Sequence, residues 1–182
     1  RAAKRRLDAA HASDPYDRSV DQQFWDIYYQ HLLGQLGRSD PQLQAELVAA
    51  TRQSRHWCRS WPRTRQILGR LRRRYRLGMI SNSDGHIAEL MRDIGLGDCF
   101  ESFTDSGLVG YEKPDPRIFQ VAMQSLSVTP EESMYVGDVY SVDYAGARSA
   151  GMRAILLDVS GTYRESDLPR VESLAELEAH LT

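Results

Sequence analysis

The chain has 182 residues, 41% of them hydrophobic, and a formal net charge of −2. That length and composition accommodate one core domain with a small satellite and exclude disorder as the default, while the charge excludes a global attraction to nucleic acid or anionic membranes. No apolar run approaches the roughly 18 to 20 residues a membrane span needs, and Arg1–Arg6 leads into no signal-like apolar stretch, so the expected location is cytoplasmic, away from membranes.

From Arg1 to about Cys58 the pattern is helical. Val20, Phe24, Ile27, Tyr28, His31 and Leu32 recur at three-to-four-residue spacing, which predicts one apolar face and gives Phe24 and Tyr28 a packing role. Trp25 and Tyr29 are left to point elsewhere. Ser39-Asp40-Pro41 supplies a cap and a helix-starting proline for a second helix carrying Leu43, Leu47 and Ala50. A third helix is expected from Pro62 through Ile67, Leu68, Leu71 and Tyr75, with the arginine run Arg72-Arg73-Arg74 on it. This run reads as a solvated face rather than a nucleic-acid surface, because no aromatic platform accompanies it. Cys58 and Cys99 lack metal-ligand spacing and read as packing residues.

Past Arg76 short apolar runs alternate with amphipathic helices, the pattern of βαβ units around a parallel sheet. Strands are expected at Leu77–Ser81, near Phe100–Thr104, at Ser133–Gly137 and at Arg153–Asp158. Helices are expected around Ile87–Ile94, Ile118–Leu126 and Val142–Ala150, with a closing helix over Val171–Leu181. The expected fold is therefore α/β, a Rossmann-like parallel sheet flanked by helices. An α-helical cap over residues 1–60 would precede a core over residues 61–182, with the boundary at the composition change near Arg59–Pro62.

In open α/β sheets ligands bind beyond the carboxyl ends of the strands, so the polar residues after each run carry the functional reading. The first run ends in Ser81-Asn82-Ser83-Asp84-Gly85, where a hydroxyl and helix-start N–H groups suit a phosphate oxygen, though the same residues also serve as helix caps. The run ending at Gly137 delivers Asp138 and Asp143, an oxygen-rich corner suited to a hard cation such as Mg²⁺, with a capping aspartate as the plainer alternative. Between them lies Lys113, in Glu112-Lys113-Pro114-Asp115. Of the chain's 23 cationic side chains only Lys4 and Lys113 are lysines, so Lys113 stands out as a compact point charge in a chain that otherwise uses arginine. Lys4 lies near the end of the chain and calls for no special role.

This ordered set resembles the haloacid dehalogenase-like hydrolases. In that family a DxDG nucleophile motif is followed by a Ser or Thr after a strand, then a Lys, then an acidic motif. Ser81, Lys113 and Gly137-Asp138 through Asp143 match the second, third and fourth motifs, and the preceding helical segment resembles the family's cap. No Asp-X-Asp occurs in the chain. The resemblance places the first motif on a central strand between those ending at Ile80 and Gly137. Two half-sheets facing a gap, a missing N-terminal segment and little or no activity for these 182 residues alone are therefore expected.

The resemblance implies Mg²⁺-dependent hydrolysis of a small phosphorylated metabolite, a phosphomonoester, through an aspartyl-phosphate in the complete protein. Asp138 and Asp143 would serve the metal, with Asp143 orienting a bound water or Lys113. Ser81, Asn82 and Lys113 would bind substrate, and Ser81, Lys113, Asp138 and Asp143 form the catalytic set. Two rivals stand beside it. A metal-independent 2-haloacid dehalogenase shares the Ser-Asn and Lys features, but paired carboxylates without a cation would repel its carboxylate substrate. A non-catalytic interaction module is the other.

Overall fold

The computed structural model describes residues 1–14 and 18–181, with the side chains of 18–22, Val20 among them, outside the description. The chain opens with helices α1 (Ala2–His11), α2 (Arg18–Gln35) and α3 (Pro41–Thr51). Asp40 caps α3 by accepting from the Leu43 N–H at 3.0 Å, with Pro41 in the first turn. The face α2 turns inward differs from the expected one. Leu33 is buried, Tyr29 hydrogen-bonds the Thr51 hydroxyl at 2.6 Å and Trp25 meets the Trp57 ring edge-on at 5.5 Å, whereas Tyr28 and Leu32 are exposed. The stripe is Trp25, Tyr29 and Leu33, spaced four residues apart, because the anchoring partners, Thr51 and Trp57, lie at and just beyond the end of α3.

Helix α4 (Thr64–Leu71) buries Ile67, Leu68 and Leu71 and stops four residues short of the expected end. Arg72–Arg74 occupy the turn that follows, and Tyr75 is drawn away to donate to the Leu181 carbonyl at 2.6 Å. The rest runs β1 (Gly78–Ser81), α5 (Ile87–Asp93), β2 (Ser102–Asp105), α6 (Ser106–Val109), α7 (Pro116–Leu126), β3 (Met134–Gly137), α8 (Ala145–Ser149), β4 (Arg153–Leu157), β5 (Arg170–Val171) and α9 (Leu174–Leu177). A single π-helical turn, Tyr140–Tyr144, joins β3 to α8. Strand β5 falls where a closing helix was expected to begin; at two residues it is too short to show any periodicity.

All strand pairs are parallel, in two groups, β1-β2 and β3-β4-β5, and among the described residues no strand joins β1 to β3. Packing holds the groups together. Ile80 of β1 and Tyr135 of β3 meet on one side against Ile118 and Phe119 of α7 and Ala147 of α8. On the other side Leu77, Met134 and Val136 pack with Ile67 and Leu71 of α4 and Leu177 of α9. Neighbouring residues of β3 thus enter opposite cores, as the pleat requires. The loops after β1, β2 and β3 consequently converge beyond the strands' carboxyl ends. Among the described residues no helix is long and apolar enough to cross a membrane.

Candidate active site

Asp143 is the most constrained side chain of the converging loops. Its Oδ1 accepts from Lys113 Nζ at 2.7 Å and from the Tyr135 hydroxyl at 3.2 Å. Its Oδ2 accepts from the backbone N–H groups of Asp138 and Val139, each at 3.0 Å. The π-helical turn makes this possible by bringing a carboxylate five residues downstream back against the start of its own loop, and π-turns recur at functional sites. Gly137 is required for the same reason, since a Cβ there would overlap Cβ and Cγ of Asp143.

Lys113 and Asp143 are both nearly enclosed, with side-chain exposures of 12% and 6%. Burial alone would lower the lysine pKa, but the Asp143 charge and Tyr135 more than offset it, leaving the ammonium protonated well above the ordinary lysine range. Burial likewise works to raise the Asp143 carboxyl, and Lys113 with the two backbone N–H groups holds it below the usual carboxylate range. Burial pushes the Tyr135 phenol up, against the pull of Lys113, so it stays a neutral donor.

The loop after β1 is tied to the same point. Asn82 Oδ1 accepts from the Lys113 N–H at 2.8 Å, and Asn82 Nδ2 donates to the Lys113 carbonyl at 2.9 Å. Asn82 thus clamps the backbone of Lys113. Ser81, one residue before, has a hydroxyl with no hydrogen-bond partner among the described residues, and it lines a cleft of about 610 Å³. Asn82, Lys113, Asp138 and Asp143 line it too, so the structure brings all five expected residues to one cavity. Trp25, Trp57 and Arg52 line it as well.

Asp138 differs from Asp143 in exposure and in its partners. Its side chain is 58% exposed, and among the described residues it pairs with Lys4 Nζ, 2.6 Å from Oδ2 and 2.7 Å from its own carbonyl oxygen. An ammonium lodged on two oxygens of one residue marks a place where positive charge is favoured. Among the described residues no group of three His, Cys, Asp or Glu side chains forms a metal cage. Mg²⁺ does not need one, because it keeps several waters and binds through one or two carboxylates plus substrate phosphate. Asp138 fits that donor chemistry, whereas both oxygens of Asp143 are engaged inside the protein.

Comparison with known proteins decides the family. A model of the haloacid dehalogenase-like hydrolases matches residues 16–151. The chain belongs to that family. It is 32% identical over 143 residues to haloacid dehalogenase-like hydrolase domain-containing protein 3 of Bos taurus, covering 74% of this chain and 55% of that protein. It is 38% identical over 112 residues to a glyceraldehyde 3-phosphate phosphatase of Methanothermobacter thermautotrophicus, covering 60% of this chain and 49% of that one. The crystal structure of a 2-haloacid dehalogenase from Pseudomonas syringae matches with TM-score 0.62 and 28% identity, over 99% of this chain and 78% of that one. The chain spans about half the length, or less, of the curated relatives it matches.

Two features of this haloacid dehalogenase-like hydrolase escaped the sequence reading. Asp105, at the tip of β2 and 1% exposed, accepts from the N–H groups of Gly85, Gly107 and Ile87 at 3.0 Å each and so holds the Ser81–Gly85 loop in place. Ser106 adds two bonds to the backbone of Ser83. The strand-end rule that exposed Asp138 applies equally to Asp105 and would have found it. The other feature is Lys4. Both lysines of the chain end on an aspartate of the same motif, Lys4 on Asp138 and Lys113 on Asp143.

Proposed function

We propose that this chain supplies the phosphate-holding and charge-neutralising part of a Mg²⁺-dependent phosphomonoester hydrolase, acting on a small phosphorylated metabolite. The observation that carries the reading is the division of labour between the two aspartates. Asp143 is consumed in fixing Lys113, while Asp138 offers a half-exposed carboxylate to the same cleft.

In this reading the Ser81 hydroxyl donates to a phosphoryl oxygen, and Lys113, kept cationic by Asp143, stabilises the charge that grows on the phosphoryl group in transfer. Asn82 fixes the Lys113 backbone, which sets the root of that side chain. Asp138 would hold Mg²⁺, which would supply further neutralisation of the phosphate oxygens. The attacking aspartate belongs, by resemblance, to a motif outside these 182 residues. Its oxygen would form the bond to phosphorus as the ester oxygen leaves with a proton from the second aspartate of that motif; water, giving its proton to the same carboxylate, would then release orthophosphate and restore the first. The helical segment of residues 1–60 would act as the cap, with Trp25 and Trp57 facing the leaving group.

One observation favours a second reading. Lys4 neutralises Asp138 without a metal, which removes the charge repulsion that argues against a metal-independent 2-haloacid dehalogenase. Steady-state assays of the full-length protein separate the two. Orthophosphate release from a phosphomonoester that needs Mg²⁺ and is lost in Asp138→Asn supports the hydrolase. Halide release from a 2-haloacid without added metal overturns it.

A further inference from the structure

Lys4 has an environment unlike that of a terminal surface lysine. Its side chain is 16% exposed and its ammonium meets both the carboxylate and the carbonyl of Asp138. The helix that carries it is pinned by contacts that follow Lys4. Asp8 accepts from the Ser141 N–H at 2.9 Å and from the Tyr163 hydroxyl at 2.8 Å. His11 Nδ1 lies 2.9 Å from the Ser141 hydroxyl, and Arg5 donates to the Thr162 carbonyl at 3.3 Å. Helix α1 is thus strapped over the π-helical turn Tyr140–Tyr144 that follows Asp138, with its one lysine directed at the carboxylate that faces the cleft.

We propose that Lys4 is a tethered cation that competes with a divalent metal ion for Asp138, so that metal binding and docking of the Lys4 side chain exclude one another. The inference rests on the assignment of Asp138 as the metal-holding residue above. An ammonium 2.6 Å from Oδ2 occupies the approach a metal ion would use, and a second positive charge at that range is repelled. The metal must therefore displace Lys4, which loosens the α1 strap from the loop. With metal absent, Lys4 keeps the cleft wall neutral and α1 closed on it.

The test uses the 182-residue chain and Mn²⁺ alone, with free ion counted by electron paramagnetic resonance. Removing the competitor in Lys4→Met is expected to tighten Mn²⁺ binding about fivefold, the scale of a partly exposed ion pair. Lys4→Arg, which keeps the charge, should bind more weakly than Lys4→Met and close to the parent chain. Asp138→Asn should abolish binding in every background. Equal affinities for Lys4→Met and the parent, with Asp138→Asn still abolishing binding, would overturn the competition while leaving the metal assignment intact. Binding that ignores Asp138 in all variants would overturn both. Should Lys4→Met fail to fold, amide exchange across residues 5–11 of the parent chain gives the answer: saturating Mg²⁺ should speed it, and unchanged protection would contradict the proposal.

Discussion

Lys113 Nζ stands 2.7 Å from Asp143 Oδ1, and both side chains are almost completely shielded from solvent. Neither charge is tolerable there alone. Asp143→Asn leaves the ammonium buried without its counter-charge and is expected to cost about 3 to 5 kcal/mol, measured by urea denaturation. A loss under about 1 kcal/mol would mean that the pair is open to water.

The same pair sets a pH profile. Asp143 is depressed in the folded state, so its contribution is present above the unfolded carboxylate value and is lost as pH falls through the lower folded value. Lys113 is raised, so its contribution is present below the unfolded lysine value and is lost as pH rises through the higher folded value. Stability from the pair should therefore be flat between the ordinary carboxylate and lysine values, 3.8 and 10.5, and fall off outside them. Denaturant midpoints across pH should show an acid limb that flattens in Asp143→Asn.

Gly137 lies against Asp143 so closely that any side chain forces the carboxylate or the backbone to move. Gly137→Ala is expected to cost about 1 to 3 kcal/mol and to disturb the Lys113 contact, visible as a shift of the Lys113 ammonium resonance by nuclear magnetic resonance. An alanine accepted without either effect would show that the loop has slack.

Asn82 makes two bonds to the backbone of Lys113 and none is replaceable by a methyl group. Asn82→Ala should destabilise the 111–115 loop by about 1 to 2 kcal/mol, read as faster exchange of the Lys113 amide, with little change in the distant helices. Ser81→Ala removes a hydroxyl that lines the cleft without a partner among the described residues, so stability should hold while orthophosphate affinity of the chain falls about tenfold, the scale of one bond to a charged acceptor.

What the sequence revealed and what it hid follow from range. The β1, β3 and β4 runs, the Asp40 cap and the strand-end residues Ser81, Asp138 and Asp143 are local signals, carried by a few neighbouring residues each. The inward face of α2 depends on Trp57, more than twenty residues beyond it, and the period alone selected Tyr28, which is exposed, over Tyr29, while Phe24 does pack, edge-on against Trp25. Lys4 reaches Asp138 across 134 residues, a contact no spacing rule encodes. Asp105 was legible by the rule already in use, since it ends β2 as Asp138 follows β3. That Asp143 would orient Lys113 followed from the resemblance; what the sequence hid is how it gets there, because the π-helical turn that folds Asp143 back is a departure from the ordinary helical period.

The central claim is that Asp138 serves a metal-dependent phosphoryl transfer. Its most direct test is orthophosphate release from p-nitrophenyl phosphate by the full-length protein, with and without Mg²⁺, in the parent and in Asp138→Asn. The account predicts release that requires Mg²⁺ and falls by at least about a hundredfold in the variant, the scale of losing one charge-stabilising group at the reacting centre. Release that is unchanged by chelating the metal or by Asp138→Asn would contradict it.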